Sequence, residues 1–539
     1  MLRFLLVLLL TVLSSTAGVN AQSRYFRRNV QTGVQWSRWS EATLAKAKRE
    51  AKPLFVTIGA ASCHPCHVLE RDAFSNAETA ALLNTYFVPL LIDRDEHPEL
   101  DAAFATMAQS YEWPKVAILT PNLEPILVAV APSAAEVSRQ LVIQSNRWTN
   151  ARVSVTAEAA LNLVKVHGLP AVAIPTRATD DEALRTLALT PEHDQLGGGF
   201  HRDATHYEKL LPEQAMLAHA YLDAWQRTKD ARFADVARGA LDYIVRDLAF
   251  PDTMVFQASQ DSDSLVPRQG PELVRGVFYE WTRDEIRRLL GDQAGKAIRY
   301  YGIAEEGSSV PYVAAPDLAD DYREELAAAR ALLLDVRLKR PAPFRDEKIV
   351  AGWNGLTIGA LARAGVLFNE PRYLDAARAA ARYITTHHWN AKTKTLSRSQ
   401  GVSALDEDYA LLVRGLVELS DATLESGWLE LAKAIHAQSG RATTALPVQW
   451  RDIPNARPKA VPARIPERQV VLAGDPFRDD TRAFVRTAFE RRDRDFVLVR
   501  ATKEFLKGTH LEVATAWVCQ GGTCGPPTAD PSALAKLLD

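Results

Sequence analysis

Cysteine and methionine are scarce, with four of each in 539 residues. The close spacing of the four cysteines does not suggest a framework of long-range staples. They fall into two close pairs, Cys63/Cys66 and Cys519/Cys524, which reads as two disulfide or dithiol units. An excess of charge of one sign is also lacking: 64 Lys and Arg stand against 66 Asp and Glu, a formal net charge of -2. That balance points neither to nucleic acid nor to an anionic membrane surface, and the short basic cluster Arg491, Arg492, Arg494 reads as a solvated helix end. Nor is there a run of apolar residues long enough to span a bilayer at the N-terminus, where Phe4 to Leu13 is too short. Preceded by Arg3 and followed by small residues ending in Val19, Asn20 and Ala21, that run reads as a secretory signal over residues 1–21. The expected location is the periplasm or the cell exterior, without a stable membrane anchor, where disulfides persist.

A hydrophobic fraction of 47% is that of an ordinary globular chain, and the length allows two or three full cores. Residues 22–150 read as an α/β domain. KPLFVTIG, from Lys52, is a buried strand rich in Val, Ile and Phe. After the turn Ala60 to Ser62 come Cys63 and Cys66 at the start of a helix. A helix (76–85), a strand (87–92), a helix (98–110) and strands at 115–119 and 125–130 follow. This order, with a Cys pair opening the helix after the first long strand, is a thioredoxin-like layout.

Cys-x-x-Cys-His admits other chemistries. Haem attachment requires a small haem-wrapping helical fold and a second axial ligand. Zinc held by Cys63, Cys66, His64 and His67 lacks a second ligand pair distant in sequence. Neither a metal nor a cofactor is therefore expected. A thiolate at a helix N-terminus gains from the macrodipole and free N–H groups, so Cys63 is the expected nucleophile and Cys66 the resolving thiol. Trp113-Pro114 precedes the strand KVAIL, where thioredoxin-like folds keep a cis-proline, and Pro114 is expected to be cis. A structural disulfide without turnover is the bland alternative.

Residues 157–445 carry Ala-rich helical spacing. DARFADVARGALDYI, from Asp230, matches EPRYLDAARAAARYI, from Glu370, and SGWLELAKAI, from Ser426, is a weaker copy. Each copy follows an apolar helix, so these are repeated helical hairpins that must stack to bury their faces. Long loops with acidic and aromatic residues suit a closed (α/α) barrel with a pocket at one end. The candidate pocket residues are His201, Arg202, Asp203, Asp261, Asp263, Trp281, Trp353, Asn354, Asp408 and Tyr409. Paired carboxylates can serve as general acid and base, and aromatics can stack on sugar rings. Asp and Ser also cap helices and shape turns, the structural alternative for each. Arg457 to Arg468, with Pro458, Pro462 and Pro466, reads as a linker. Residues 465–539 then form a small α/β segment with the second Cys pair.

WSRWSEATLAKAKREAKPLF, SCHPCHVLERDAF, VPLLIDRDEHPELD and WPKVAILTPNLEPI, in this order, closely resemble the thioredoxin domain of the spermatogenesis-associated protein 20-like family. LGGGFHRDATHYEKLLPEQAML, QDSDSLVPRQGPELVRGVFYEWT, RDEKIVAGWNGLTIGALARAG and LDEDYALLVRGL resemble successive motifs of its six-hairpin toroid. VCQGGTCGPP resembles its C-terminal Cys motif. The resemblance implies a multidomain chain: an N-terminal thioredoxin-like α/β fold, an all-α (α/α)6 six-hairpin toroid related in shape to glycosidases and sugar 2-epimerases, and a small C-terminal α/β segment. The chain departs from the family at Pro65, where Trp is usual, at Tyr111-Glu112, where Gly-Gly is usual, and in a shorter loop between Arg202 and Tyr207. Three functions follow as expectations. The first is an exported thiol–disulfide oxidoreductase with an exchange partner protein. The second is a carbohydrate-active enzyme with a carbohydrate ligand and a structural thioredoxin module. The third is a non-catalytic binding protein. Cys519 and Cys524 either exchange electrons with the first pair or close a structural loop.

Overall fold

The computed structural model describes residues 23–170, 180–266, 273–440, 447–450, 465–491, 495–507 and 511–538. The expected signal segment and most of the expected Pro-rich linker lie outside them. The chain divides into two compact units: residues 1–176 with 400–402 and 443–459, and the remainder.

The first unit is thioredoxin-like. Its sheet has the order β2 (Val88–Asp93), β1 (Leu54–Gly59), β3 (Lys115–Leu119), β4 (Pro125–Val130), with β1 parallel to β2 and antiparallel to β3, which pairs antiparallel with β4. Every residue of β1 and β2 is buried, so both strands are near-continuously apolar rather than alternating. One face meets α1 (Arg24–Asn29), α3 (His64–Leu69) and α4 (Ala77–Tyr86) through Tyr25, Cys66, Leu69, Phe74 and Leu83 against Phe55, Leu91, Val116 and Ile118. The other meets α2 (Glu41–Glu50) and α5 (Pro98–Ala108) through Ala47, Leu100 and Phe104 against Val56, Ile58, Leu90 and Ile92. Truncating one such residue, Phe55 for example, is expected to cost about 3–5 kcal/mol.

Two features shift the boundary that the sequence places at 150–157. Helix α6 (Ala134–His167) runs through it, with a break in helical geometry at Ala151. The Ala-rich spacing after residue 157 continues this helix, and Val166 joins the α5-side core of the first unit. Trp450 also belongs to that core, far beyond residue 150. It is fully buried, 5.2 Å edge-to-face from Phe104, with its indole N–H donating to the Leu123 carbonyl at 3.0 Å.

The second unit is mostly helical and carries a small C-terminal sheet. Its clearest hairpins are α7 (Leu211–Thr228) with α8 (Ala231–Tyr243), α10 (Ala351–Leu367) with α11 (Pro371–His387), and α12 (Asp406–Thr423) with α13 (Ser426–His436). Helix α9 (Arg323–Leu338) precedes the second. Helix α10 is buried on every side, which its all-round apolar sequence requires. The repeated outer helices α8 and α11 are neighbours: Tyr373 donates to Asp242 at 2.7 Å and Arg238 to Glu370 at 3.0 Å.

The C-terminal segment has β5 (Arg468–Ala473), α14 (Asp479–Phe489), β6 (Phe496–Arg500), a helical turn at Lys503–Leu506, β7 (Thr515–Gln520), β8 (Thr523–Cys524) and α15 (Pro531–Leu538). Its sheet order is β6-β5-β7-β8, with β5 parallel to β6, antiparallel to β7, and β7 antiparallel to β8. Strand order, directions and helix placement repeat those of the first unit from β1 to α6.

Candidate functional site

At the end of β1 the chain turns through Ala60 to Ser62, and Cys63 becomes the N-cap of α3. Its extended backbone directs Sγ at the first turn, where it accepts the Cys66 N–H at 3.2 Å. Pro65 sits in that first turn, where a missing N–H leaves nothing unsatisfied. Cys63 and Cys66 are joined as a disulfide with Cα atoms 5.2 Å apart, and both are buried, at 4% and 3% exposure. A Cβ at Gly59 would lie 2.7 Å from Cys66 Sγ and 2.6 Å from the Tyr25 hydroxyl, so glycine lets both reach the strand end. Burial pushes the Tyr25 phenol well up, keeping it neutral. Arg28 adds positive charge beside the cysteine helix: Nη1 lies 2.9 Å from His67 Nε2, which donates to the Ala61 carbonyl at 2.8 Å, and Nε lies 3.4 Å from Glu70.

The Trp113–Pro114 peptide is cis, as its place before β3 leads one to expect. Trp113 packs against the apolar cluster that includes both cysteines. An ionic group that the sequence reading missed holds this segment. Asp101 accepts from Lys115 Nζ at 2.8 Å and from the Trp113 indole at 3.2 Å, while Arg94 stacks 3.9 Å from the Trp113 ring. Burial pulls the Lys115 amine down, against the pull of Asp101. The available signal was a lysine opening an otherwise apolar strand.

In the second unit the ten candidate pocket residues separate into two sets. His201 sits in a buried polar cluster. Its Nδ1 donates to the Tyr207 carbonyl at 2.9 Å, and its ring meets Tyr279 edge-on at 4.5 Å. Burial, reinforced by Lys209, pushes His201 down to about 3, so it is neutral. Asp194 is the hub of this cluster. Arg337 grips it with two bonds, at 2.8 and 2.9 Å, and Lys209 donates at 2.6 Å. These cations hold the Asp194 carboxyl well below the usual range although burial opposes them. Burial brings Lys209 down to about 8. Tyr243 and Tyr279 both donate to Gln260 Oε1 at 3.0 Å. Asp261 and Asp263, on the same stretch as Gln260, are buried, and the Asp263 N–H donates to Asp261 at 3.1 Å. Arg202 pairs with Glu208 at 3.3 Å, and Asp203 shapes a turn by accepting from Thr205 and His206.

The other set ties the scaffold together. The Asn354 side chain bonds both the N–H and the carbonyl of Phe256, at 2.9 and 3.0 Å. Asp408 holds Arg398 at 2.8 Å and caps α12 through the Leu405 N–H. The Tyr409 hydroxyl accepts the Leu396 N–H at 3.0 Å. Trp281 is fully buried with Arg340 stacked at 4.0 Å, and Arg398 lies 5.5 Å from the Trp353 ring. Asp194, Lys209, Arg337, Tyr243 and Gln260 were not among the candidates. Lys209 lies within LGGGFHRDATHYEKLLPEQAML, Asp194 just before it, and Gln260 opens QDSDSL, but nothing in the pattern around Arg337 marks it.

A cavity of about 340 Å³ opens among α7, α10 and α12, lined by Met216, His219, Asp223, Arg227, Leu356 and Arg414. None of the ten candidates lines it. His219 Nε2 donates to the Leu356 carbonyl and Nδ1 accepts from Arg363, both at 3.1 Å. Burial pushes His219 down to about 4. The spacing of His219, Asp223 and Arg227, four residues apart on α7, was the sequence signal for this face.

Residues 17–160 match the family model Thioredox_DsbH, described as a protein of unknown function, DUF255. Spermatogenesis-associated protein 20 of Rattus norvegicus is 26% identical over 721 aligned residues, covering 96% of this chain and 91% of that protein. The Homo sapiens protein of the same name is likewise 26% identical, covering 96% and 92%. Since 721 aligned positions exceed 539 residues, the relatives carry segments this chain lacks. An unsaturated glucuronyl hydrolase specific for heparin matches with a TM-score of 0.30 at 11% identity, over 66% of this chain and 87% of that one. A D-mannose isomerase matches with a TM-score of 0.28 at 10% identity, over 49% and 52%.

Proposed function

For a chain related over nearly its whole length to spermatogenesis-associated protein 20, we propose thiol–disulfide exchange outside the cytoplasm, carried out by Cys63 and Cys66, with the helical unit recognising what the thiols meet. The observation that carries this reading is the place of Cys63. Its sulfur caps a helix and accepts the Cys66 N–H at 3.2 Å, an arrangement that stabilises a thiolate more than a thiol. Arg28, beside the same helix, favours negative charge there too.

In the reducing direction the Cys63 thiolate attacks one sulfur of a substrate disulfide. The second substrate sulfur leaves as a thiolate and takes a proton from water, and a mixed disulfide remains. Cys66, as thiolate, attacks Cys63 Sγ and expels the first substrate sulfur. Two electrons have then passed to the substrate, and the protein holds the Cys63–Cys66 disulfide. The oxidising direction is the reverse sequence. The N-terminal pattern of Arg3, an apolar run and small residues supports export, and the partner is a dithiol or disulfide protein that recycles the pair.

One observation favours a second reading, a disulfide that stays closed. Both sulfurs are almost wholly covered, whereas reactive cysteines are commonly accessible. The reduction potential separates the two. A reversible couple near those of exchange proteins, roughly −120 to −270 mV, supports exchange. A pair that resists reduction below about −300 mV supports the closed disulfide. In the exchange reading, Cys63→Ser loses all reduction of a small model disulfide; unchanged activity would sink it.

A further inference from the structure

We propose that the C-terminal segment carries a binding site for a small apolar carboxylate, an aromatic or short-chain acid, in a cavity where its β5–α14 loop faces the helical hairpins. The loop occupies the place that the cysteine turn holds in the first unit, between the first strand and the following helix of the same strand order. It carries Pro476 and Phe477 in place of cysteines. The cavity measures about 180 Å³ and runs between this loop, α14, the α10–α11 turn and the end of α12.

Its walls are apolar: Val366, Leu374, Leu424, Val485, and Phe477, a large aromatic left 73% exposed at the rim. Its charged groups are unbalanced, with Arg378, Arg482 and Arg486 against Asp375 alone. Arg378 is taken up by Glu425 at 2.7 Å and by Asp375 at 3.2 Å. Arg482 and Arg486 stand one turn apart on α14, and their guanidiniums have no ion-pair partner among the described residues. Two adjacent forked donors beside an apolar hollow fit a ligand with one anionic head and one apolar body. A cavity of roughly 150 Å³ suffices for a benzene-sized body, which bounds the ligand to a single ring or a short chain. The loop that supplies a thiol in one sheet thus supplies a binding wall in the other.

The test is calorimetric titration of the full chain with phenylacetate, using 2-phenylethanol as the uncharged match and acetate as the head without a body. Phenylacetate is expected to bind saturably at one site per chain, and more tightly than either control. The double variant Arg482→Gln/Arg486→Gln is expected to weaken phenylacetate by about tenfold or more, as loss of charge-assisted bonds does, and to leave 2-phenylethanol unchanged. Phe477→Ala, at an exposed position that does not threaten folding, is expected to weaken both aromatic ligands. Equal binding of phenylacetate and 2-phenylethanol, no saturable binding, or an affinity indifferent to the arginine pair would overturn the proposal. None of these outcomes depends on the thiol-exchange reading.

Discussion

Two four-stranded sheets in this chain share one strand order and one set of strand directions, and each carries a Cys pair, yet the pairs sit at opposite ends of the pattern. In the first sheet the cysteines open the helix after β1, where the Cys66 N–H points at the Cys63 sulfur. In the second they face each other across the β7–β8 hairpin, Cys519 opposite Cys524, closed by Gly521 and Gly522 with φ of 57° and 81°. A two-residue loop of that kind is the tight turn that matches strand twist. The hairpin backbone makes its hydrogen bonds within the ladder, with Gly525 N–H on the Val518 carbonyl at 2.9 Å, and among the described residues none points at a Cys519 or Cys524 sulfur. Spacing in sequence, three against five, says little. Under the proposed exchange reading the backbone element beneath the sulfur decides whether a thiolate is stabilised, and that reading assigns exchange to the first pair and stapling to the second.

The largest effect that can break this comparison is on turnover. Cys63→Ser is expected to abolish model-disulfide reduction, whereas the double variant Cys519→Ser/Cys524→Ser keeps it within about twofold, as energetically independent sites do. Loss of activity in the second variant would make the hairpin pair a relay rather than a staple. Titration comes next. In the reduced protein, the alkylation rate of Cys63 should rise with pH through a midpoint below the ordinary thiol value of about 8.5, while Cys519 and Cys524 follow the ordinary value. Coincident curves would remove the electrostatic difference. Stability is third. Loss of the hairpin disulfide opens a short loop and should cost about 2 kcal/mol by chain entropy, read from denaturant unfolding.

The cysteine site was legible because all its parts are local. A buried strand, a short turn, Cys-x-x-Cys and a following helix lie within about twenty residues, and Trp113-Pro114 stands against the strand it precedes. The β3 and β4 bounds read from the sequence coincide with the structure. The helical unit was legible as an architecture, since the Asp230 and Glu370 copies form adjacent helices. Its buried cluster was not, because Arg337 reaches Asp194 across 143 positions from a helix whose spacing is plainly amphipathic. Trp450 was missed for the same reason: aromatic residues announce burial but not which core receives them. The candidates Asn354, Asp408 and Tyr409 illustrate the converse. Polar residues at helix starts attract functional readings, and here they satisfy backbone groups or buried charges.

The smallest effects concern one glycine in each sheet, which are required for different reasons. Gly522 has φ of 81° and open space around its Cα, so in Gly522→Ala only the backbone objects, at about 1–2 kcal/mol. Gly59 has no such angle, and its objection is steric: a methyl there meets Cys66 Sγ and the Tyr25 hydroxyl at less than 3 Å. Gly59→Ala should therefore cost a similar amount, about 1–3 kcal/mol by overpacking, but it should also move the cysteine sulfur and shift the reduction potential of the first pair. Gly522→Ala should leave that potential unchanged while weakening the hairpin. Matched unfolding curves with a potential shift in Gly59→Ala alone would localise the redox chemistry to the contact between Gly59 and Cys66. A shift of that potential in both variants would mean that the two sheets are energetically linked, and that the second pair is more than a staple.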